Sequence, residues 1–247
     1  MQSDLGAHLG VGIVSSSKSN QPGPDISAPT TLILIRHGQT DHTSQMLFSS
    51  GLGGANPGLN DHGRDQVSQT ATWLAGLADQ IDVLVTSPVK RAEETAAILG
   101  HALELEPTIE HDLAEMDFGT WDGLSFAEVA EREPEALRTW MGSLTVTPGG
   151  GESFRDVEAR VLRARDRLVT EHRGKTVMVV SHVTPIKTLV AHSVDAPLTS
   201  LFRMELTPAS VSVISHYERG PDGNPASSLR LYNARPGDDV VLSRHHH

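Results

Sequence analysis

The sequence predicts a three-layer α/β domain built on a mixed sheet, and three observations carry that reading. Two unbroken aliphatic runs, Leu32-Ile33-Leu34-Ile35 and Val177-Met178-Val179-Val180, suit central strands covered on both faces. Between and after them the apolar residues recur at helical spacing. The chain then closes with Val211 to Tyr217 and Leu229 to Tyr232, two strand-like segments joined through Pro221-Asp222-Gly223 as a long-looped hairpin. Strands that alternate with helices and end in a hairpin indicate a mixed sheet with helices on its faces.

The bulk numbers set the frame. A chain of 247 residues that is 38% hydrophobic has material for one sizeable domain. Residues 1–30 are rich in Ser, Gly and Pro and read as a disordered leader or interdomain linker, 31–235 as the folded domain, and 236–247 as a C-terminal tail. His245-His246-His247 look like the start of a purification tag and are set aside. There is no cysteine, which excludes disulfides, thiolate metal sites and cysteine nucleophiles and permits a reducing cytoplasm, the expected location. A net charge of −11 argues against nucleic acid or an anionic membrane as partner, so any phosphate site has to be locally basic. No run approaches the roughly 18 apolar residues of a membrane span. Oligomeric state is open.

In chain order, Leu32 to Ile35 runs straight into Arg36-His37-Gly38-Gln39-Thr40, as a buried strand does when it empties into a site at its carboxyl end. A Gly-rich loop, Ser49 to Gly58, precedes a helix from about Asp61 to Leu77 that carries Val67, Ala71, Leu74 and Ala78 on one face. Ile81 to Thr86 is the second strand. Ser87-Pro88 reads as a helix start with the serine as N-cap, and Lys90 and Arg91 follow in the first turn. Cations are poorly placed against the positive end of a helix dipole, which points to an anion bound there; two solvated cations offset by Glu93 and Glu94 are the alternative. A short strand near Leu103 to Ile109 leads to a loop with carboxylates between apolar anchors, Glu115-Met116-Asp117-Phe118-Gly119 and Trp121-Asp122-Gly123. Helical stretches run from Phe126 to Trp140 with a break near Pro134, and Pro148-Gly149-Gly150-Gly151 is a turn. The helix from Glu152 to His172 is amphipathic, and its Arg160, Arg163, Arg165 and Arg167 read as a solvated face. Trp73 and Trp140 read as helix-packing residues, and His42, His62, His111 and His172 as surface or capping residues. Thr176 to Ser181 delivers His182 as the first run delivers His37, and Thr184-Pro185 begins another helix.

The strand-end rule therefore gathers Arg36, His37, Arg91 and His182 at one sheet edge, with Glu115 on a loop within reach. Two guanidiniums and two imidazoles describe a phosphate pocket, because the planar arginine fork matches a tetrahedral oxyanion and keeps its charge. A neutral imidazole held among them can attack phosphorus if its other nitrogen donates to a fixed acceptor, and a carboxylic acid can protonate the leaving oxygen. A zinc site from His37, His42 and His182 is disfavoured because two arginines beside the imidazoles repel a dication. Trp121, beside Glu115, can either pack or raise the acid's pKa by desolvation.

Arg36-His37-Gly38 after an apolar strand resembles the signature of the histidine phosphatase superfamily, the phosphoglycerate mutase-like proteins. Further blocks agree in order: Ser87-Pro88 leading to Arg91-Ala92 with Thr95-Ala96, Glu115 before Phe118-Gly119, Trp121-Asp122-Gly123, Gly151-Glu152-Ser153, and Ser181-His182. The resemblance spans roughly Thr31 to Asn233. It implies a six-stranded mixed α/β/α sheet with one antiparallel strand and a metal-independent phosphomonoesterase without cofactor. It makes His37 the nucleophile that becomes phosphohistidine, Arg36, Arg91 and His182 the clamp on the phosphoryl oxygens, and Glu115 the proton donor. Gly38, Thr43, Val183 and Glu152 are the implied substrate contacts. Two of these depart from the pattern of many relatives: Thr43 stands where an asparagine is common, and Val183 where a glycine is common. The blocks around His182 and Glu152 look most like the α-ribazole phosphatase-like module fused behind a ribonuclease H domain in some actinobacteria, which implies a small phosphorylated substrate such as α-ribazole phosphate and an N-terminal neighbour. Residues 1–30 cannot themselves form a ribonuclease H domain. A phosphoglycerate-type mutase and a noncatalytic phospholigand-binding module are the alternatives. The first needs an extra helical insertion that the chain lacks, and the second usually loses the nucleophile or the acid, both present here.

Overall fold

A computed structural model of the chain describes residues 28–220 and 222–237. Most of the leader reading (all but Ala28 to Thr30), Pro221 of the hairpin turn, and the tail from Asp238 onward with its histidines lie outside the described residues. The elements, in order, are β1 (Thr30–Arg36), α1 (Asp41–Ser44), α2 (Asp61–Leu74), β2 (Val83–Thr86), α3 (Lys90–Leu103), β3 (Pro107–Ile109), α4 (Phe126–Arg132), α5 (Pro134–Met141), α6 (Phe154–Glu171), β4 (Thr176–Ser181), α7 (Val183–Ser193), β5 (Val211–Tyr217) and β6 (Ala226–Ala234). They form the mixed six-stranded α/β sheet, in the order β3-β2-β4-β1-β5-β6, with β5 antiparallel to both of its neighbours.

The aliphatic strands build two cores at once because alternate side chains leave opposite faces of a strand. Leu32 and Leu34 of β1 join Val177 and Val179 of β4 on one side, where α4 to α7 pack with Trp140, Phe154, Val161 and Ile186. Ile33 and Ile35 join Met178 and Val180 on the other, against Val67, Ala71 and Leu74 of α2 and Ala92, Ala96 and Leu99 of α3. Each face is closed by helices whose starts are fixed by caps: Asn60 accepts from the Gly63 N–H at 2.8 Å, and Ser125 with Glu128 and Ser153 with Asp156 form capping boxes.

The register fixes the site. Arg36 pairs with Ser181 across the parallel β1/β4 ladder, and Thr86 pairs with Val180 across β2/β4. The residues that leave these three strands, Ser87, His182 and His37, therefore emerge side by side at the carboxyl edge of the sheet.

Several elements differ from expectation. Helix α3 begins at Lys90 with Val89 as N-cap, so Ser87 does not cap it; the Ser87 hydroxyl is used elsewhere. Strand β2 starts at Val83 and β3 at Pro107, since Leu103 ends α3 and Glu104 turns out of the helix in the left-handed region. Helix α2 gives way after Leu74 to a 3-10 turn, Ala75–Gln80. Trp73 is 43% exposed on the outer face of α2 rather than packed, whereas Trp140 is buried between Phe154 and Trp121.

Candidate active site

A pocket of about 460 Å³ opens at this edge. Arg36, His37, Arg91 and Glu115 form its floor, and Thr43, Ser49, Val183 and Thr184 flank them. His37, Arg91 and Glu115 are buried, and His182 is fully buried beside His37 with ring centroids 5.1 Å apart.

Backbone geometry sets the state of His37. Its Nδ1 lies 2.7 Å from the Gly38 carbonyl, which can only accept, so Nδ1 carries the proton and donates it. The other nitrogen, Nε2, then holds a lone pair and accepts from the Arg91 Nε–H at 3.2 Å. Burial first, then Arg91 and Arg36, hold this imidazole well below the ordinary histidine range, against the weaker pull of the Gly38 carbonyl. Gly38 supports the arrangement from behind: its N–H donates to Thr95 Oγ1 at 3.2 Å, and a Cβ there would come within 2.5 Å of the Gly63 carbonyl of α2. Gly38 thus holds the histidine and does not line the pocket.

His182 is set in the opposite sense. The Ser87 hydroxyl lies 2.7 Å from Nε2 and accepts from the Val89 N–H at 3.3 Å; in the tautomer in which that hydroxyl donates to Nε2, the ring proton sits on Nδ1. Burial, then Arg91 and His37, also keep His182 well below the ordinary range. Sequence reasoning missed Ser87; the signal available was its place at the end of a parallel strand next to β4.

Arg91 spans the site. Its Nη2 donates to the carbonyls of Ser49 and Ser50 at 3.1 and 3.2 Å, while Arg36 Nη1 donates to the Leu206 carbonyl at 2.5 Å. Burial lowers both arginines to about 10, opposed by the attraction of Glu115, and both stay charged at neutral pH. Among the described residues, Arg36 Nε, Arg91 Nη1 and His182 Nδ1 are buried donors that no hydrogen-bond partner meets. Buried donors are ordinarily paired, so unpaired ones on three residues packed around a neutral imidazole are chemically able to take up an oxyanion. Lys90, by contrast, is exposed, and Glu94 is engaged with Arg64 and the Leu59 N–H instead of offsetting Arg91.

Glu115 is held on its loop from both sides. One carboxyl oxygen accepts from the Met116 N–H at 2.8 Å and the other from the Thr184 N–H at 3.4 Å. Behind it, Arg160 donates to the carbonyls of Asp112, Ala114 and Glu115 at 2.9, 2.6 and 3.0 Å, and its Nε and Nη2 each meet the Glu152 carboxylate at 2.8 Å. This corrects two expectations. Arg160 belongs to no solvated face, since its side chain is 11% exposed. Glu152, expected to touch substrate, is turned away into the Arg160 fork and the Asp117 N–H. Of the other three, Arg163 and Arg167 lie exposed, paired with Asp112 and Glu110, while Arg165 is partly buried and paired with Asp166.

Thr43 and Val183 line the pocket; the Thr43 hydroxyl lies 3.1 Å from that of Thr40. Trp121 packs against Phe48 and Trp140, and its N–H donates to Glu133 at 3.3 Å. His42 lies 3.2 Å from the Ser49 hydroxyl, and His172 caps α6 through its backbone. The glycine-rich loop is tied down by Asp122, whose carboxylate accepts from the Ser50 and Ala55 N–H groups at 2.6 and 2.7 Å.

Residues 32–224 match the family model of the histidine phosphatase superfamily, branch 1. A bifunctional protein of Mycobacterium tuberculosis is 45% identical over 223 residues, which are 90% of this chain and 59% of that protein, so the chain spans well under two thirds of that relative. Phosphoserine phosphatase 1 of Hydrogenobacter thermophilus is 32% identical over 189 residues, 76% of this chain and 87% of that one. The solved structure of the α-ribazole phosphatase of Shigella flexneri superposes with a TM-score of 0.70 at 25% identity, covering 83% of this chain and 97% of that one. Among the described residues, no helix is long and apolar enough to cross a membrane.

Proposed function

The chain belongs to branch 1 of the histidine phosphatase superfamily, and we propose that it is a phosphatase that hydrolyses a small phosphomonoester through a phosphohistidine on His37. The observation that carries this is that three buried side-chain nitrogens without a partner, Arg36 Nε, Arg91 Nη1 and His182 Nδ1, belong to residues packed around His37, whose Nε2 bears the lone pair.

In the first half-reaction His37 Nε2 attacks phosphorus, the bond to the ester oxygen breaks, and Glu115 in its acid form gives that oxygen a proton. In the second, the Glu115 carboxylate takes a proton from water, whose oxygen attacks the phosphohistidine, and phosphate leaves with His37 restored. Arg36, Arg91 and the His182 Nδ1–H neutralise the charge that develops on the phosphoryl oxygens, so the reaction calls on no metal. Thr43 and Val183 flank the ester.

α-Ribazole phosphate is the candidate substrate that the resemblance supports, with phosphoserine as its competitor among the relatives. The bifunctional mycobacterial relative extends beyond the residues that match this chain, and a neighbouring domain of the ribonuclease H type is proposed on the sequence resemblance alone. A cytoplasmic location is proposed as the default, with which the lack of cysteine is compatible.

The test is trapping. Acid quench after mixing with 32P-labelled p-nitrophenyl phosphate is expected to leave an acid-labile, base-stable label on the wild type, in chelator, and none on His37→Ala. Label retained by His37→Ala, or turnover equal to wild type in that variant, refutes the assignment.

A further inference from the structure

Five large apolar side chains, Met46, Leu47, Phe48, Phe118 and Phe126, line one wall of the pocket beside the phosphate floor, with the small Thr43, Ser49, Val183 and Thr184 making up the rest of the lining. We propose that this wall is a subsite for the leaving group, and that it selects esters of apolar, ring-bearing alcohols over esters whose alcohol carries a carboxylate. The proposal rests on the phosphatase reading and deepens it.

Three properties of the wall support it. First, it is preformed. Leu47 bridges to Ser125, the Phe48 N–H donates to the Leu124 carbonyl at 2.8 Å, and the Gly123 N–H donates to Phe48 at 2.9 Å, so the wall's backbone is paired on both sides of Phe48. The Phe48 ring is backed by Trp121 and Trp140 at 5.7 and 5.9 Å and carries Phe118 at 5.0 Å and Phe126 at 6.4 Å, the latter stacked with 29° between planes. Second, it presents its apolar surface to solvent: Phe126 is 48% exposed and Met46 82% exposed, at the mouth above His37. Large side chains left this open on a rigid aromatic base gain by covering a ligand ring, and the methionine thioether adds a soft contact to a ring edge. Third, the only cations among the lining residues are Arg36 and Arg91, both on the floor where the phosphoryl group lies. A carboxylate on the alcohol would leave water for a phenylalanine and methionine surface with no charge to meet it, and with Glu115 on the same side.

Primary-alcohol esters separate this from leaving-group acidity: 2-phenylethyl phosphate against O-phosphoserine, with sn-glycerol 3-phosphate as the uncharged polar reference. Wild type is expected to favour 2-phenylethyl phosphate over O-phosphoserine by about tenfold or more in kcat/KM, the effect of covering one ring. Phe126→Ala is expected to cut that ratio about tenfold. Met46→Arg, at an exposed position where folding is not at stake, is expected to shift the ratio toward O-phosphoserine. Equal use of the two esters, or a ratio that neither variant moves, overturns the subsite while leaving the phosphatase reading intact. Turnover of every ester by His37→Ala, or of none by wild type, overturns the phosphatase reading and the subsite with it.

Discussion

The Nε–H of Arg91 meets Nε2 of His37 at 3.2 Å, so the imidazole nitrogen that faces the pocket is the one without a proton. A protonated His37 would set two donors face to face inside a buried site. Burial and the two arginines depress its pKa, and the sign follows: the neutral form, which attacks, persists as pH falls below 6.5. In 15N-detected NMR of the imidazoles, His37 is expected to show the Nδ1–H tautomer, and both His37 and His182 are expected to stay neutral from pH 7.5 to 5.5. A titration midpoint near 6.5 for His37 contradicts the arrangement.

Ser87 and His182 form the matching pair on the other side, at 2.7 Å. Replacing the hydroxyl frees Nε2 to take the ring proton, which removes the Nδ1–H donor from the phosphate side. Ser87→Ala is expected to lower kcat/KM by about 10 to 100-fold, the worth of one transition-state donor, with a smaller loss in Ser87→Thr. Equal activity in Ser87→Ala and wild type rules out the role.

How much of this was legible follows from where each group's neighbours lie in the chain. His37 and His182 stand at the ends of aliphatic strands, and strand, terminus and histidine are read within ten residues, so the sheet and its active edge could be derived locally. Arg160 could not be separated from Arg163 by charge, because a cation clamped to carbonyls and one in water look alike; the deciding neighbours, Asp112 to Glu115 and Glu152, are brought by packing. The spacing did hold a clue. Val157, Arg160 and Ala164 follow one another at three and four residues, which puts the arginine on the buried stripe of α6. The same limit explains Ser87, whose partner is 95 residues away, and the glycines of the Ser49 to Gly58 loop, among which Gly51 stands against Glu115 and Gly54 against Asp122, neighbours far along the chain.

Arg160 is a positioning residue for the proposed acid. Its planar fork ties three loop carbonyls to Glu152, a geometry that lysine cannot span. Arg160→Lys is expected to let Glu115 wander and to slow alkyl esters by about 10 to 100-fold in kcat while p-nitrophenyl phosphate, whose leaving group needs little protonation, loses much less. A merely structural role would slow both alike, and that result removes the assignment.

Gly51 lies so close to the same loop that an added Cβ would fall 2.4 Å from the Glu115 carbonyl oxygen. Backbone on both sides leaves no side chain to yield. Gly51→Ala is expected to cost about 1–3 kcal/mol, which lowers Tm by roughly 2–10 °C for a domain of this size. Differential scanning calorimetry checks this, and an unchanged Tm shows that the loop can shift.

His216, on β5 far from the pocket, links folding to acid. Its side chain lies 2.9 Å from Ser227 Oγ, and burial, then Arg165, against the opposing Asp166, lower its pKa to about 4. Between pH 6.5 and 4 the unfolded chain therefore takes up a proton that the folded one refuses, so stability is full above 6.5 and declines as pH falls toward 4, by at most about 3 kcal/mol. His37 and His182 contribute with the same sign because they too are buried neutral. Urea denaturation at pH 7.5, 6 and 4.5 is expected to show falling stability for the wild type and a shallower fall for His216→Gln. Identical slopes in the two proteins contradict a neutral, proton-refusing His216.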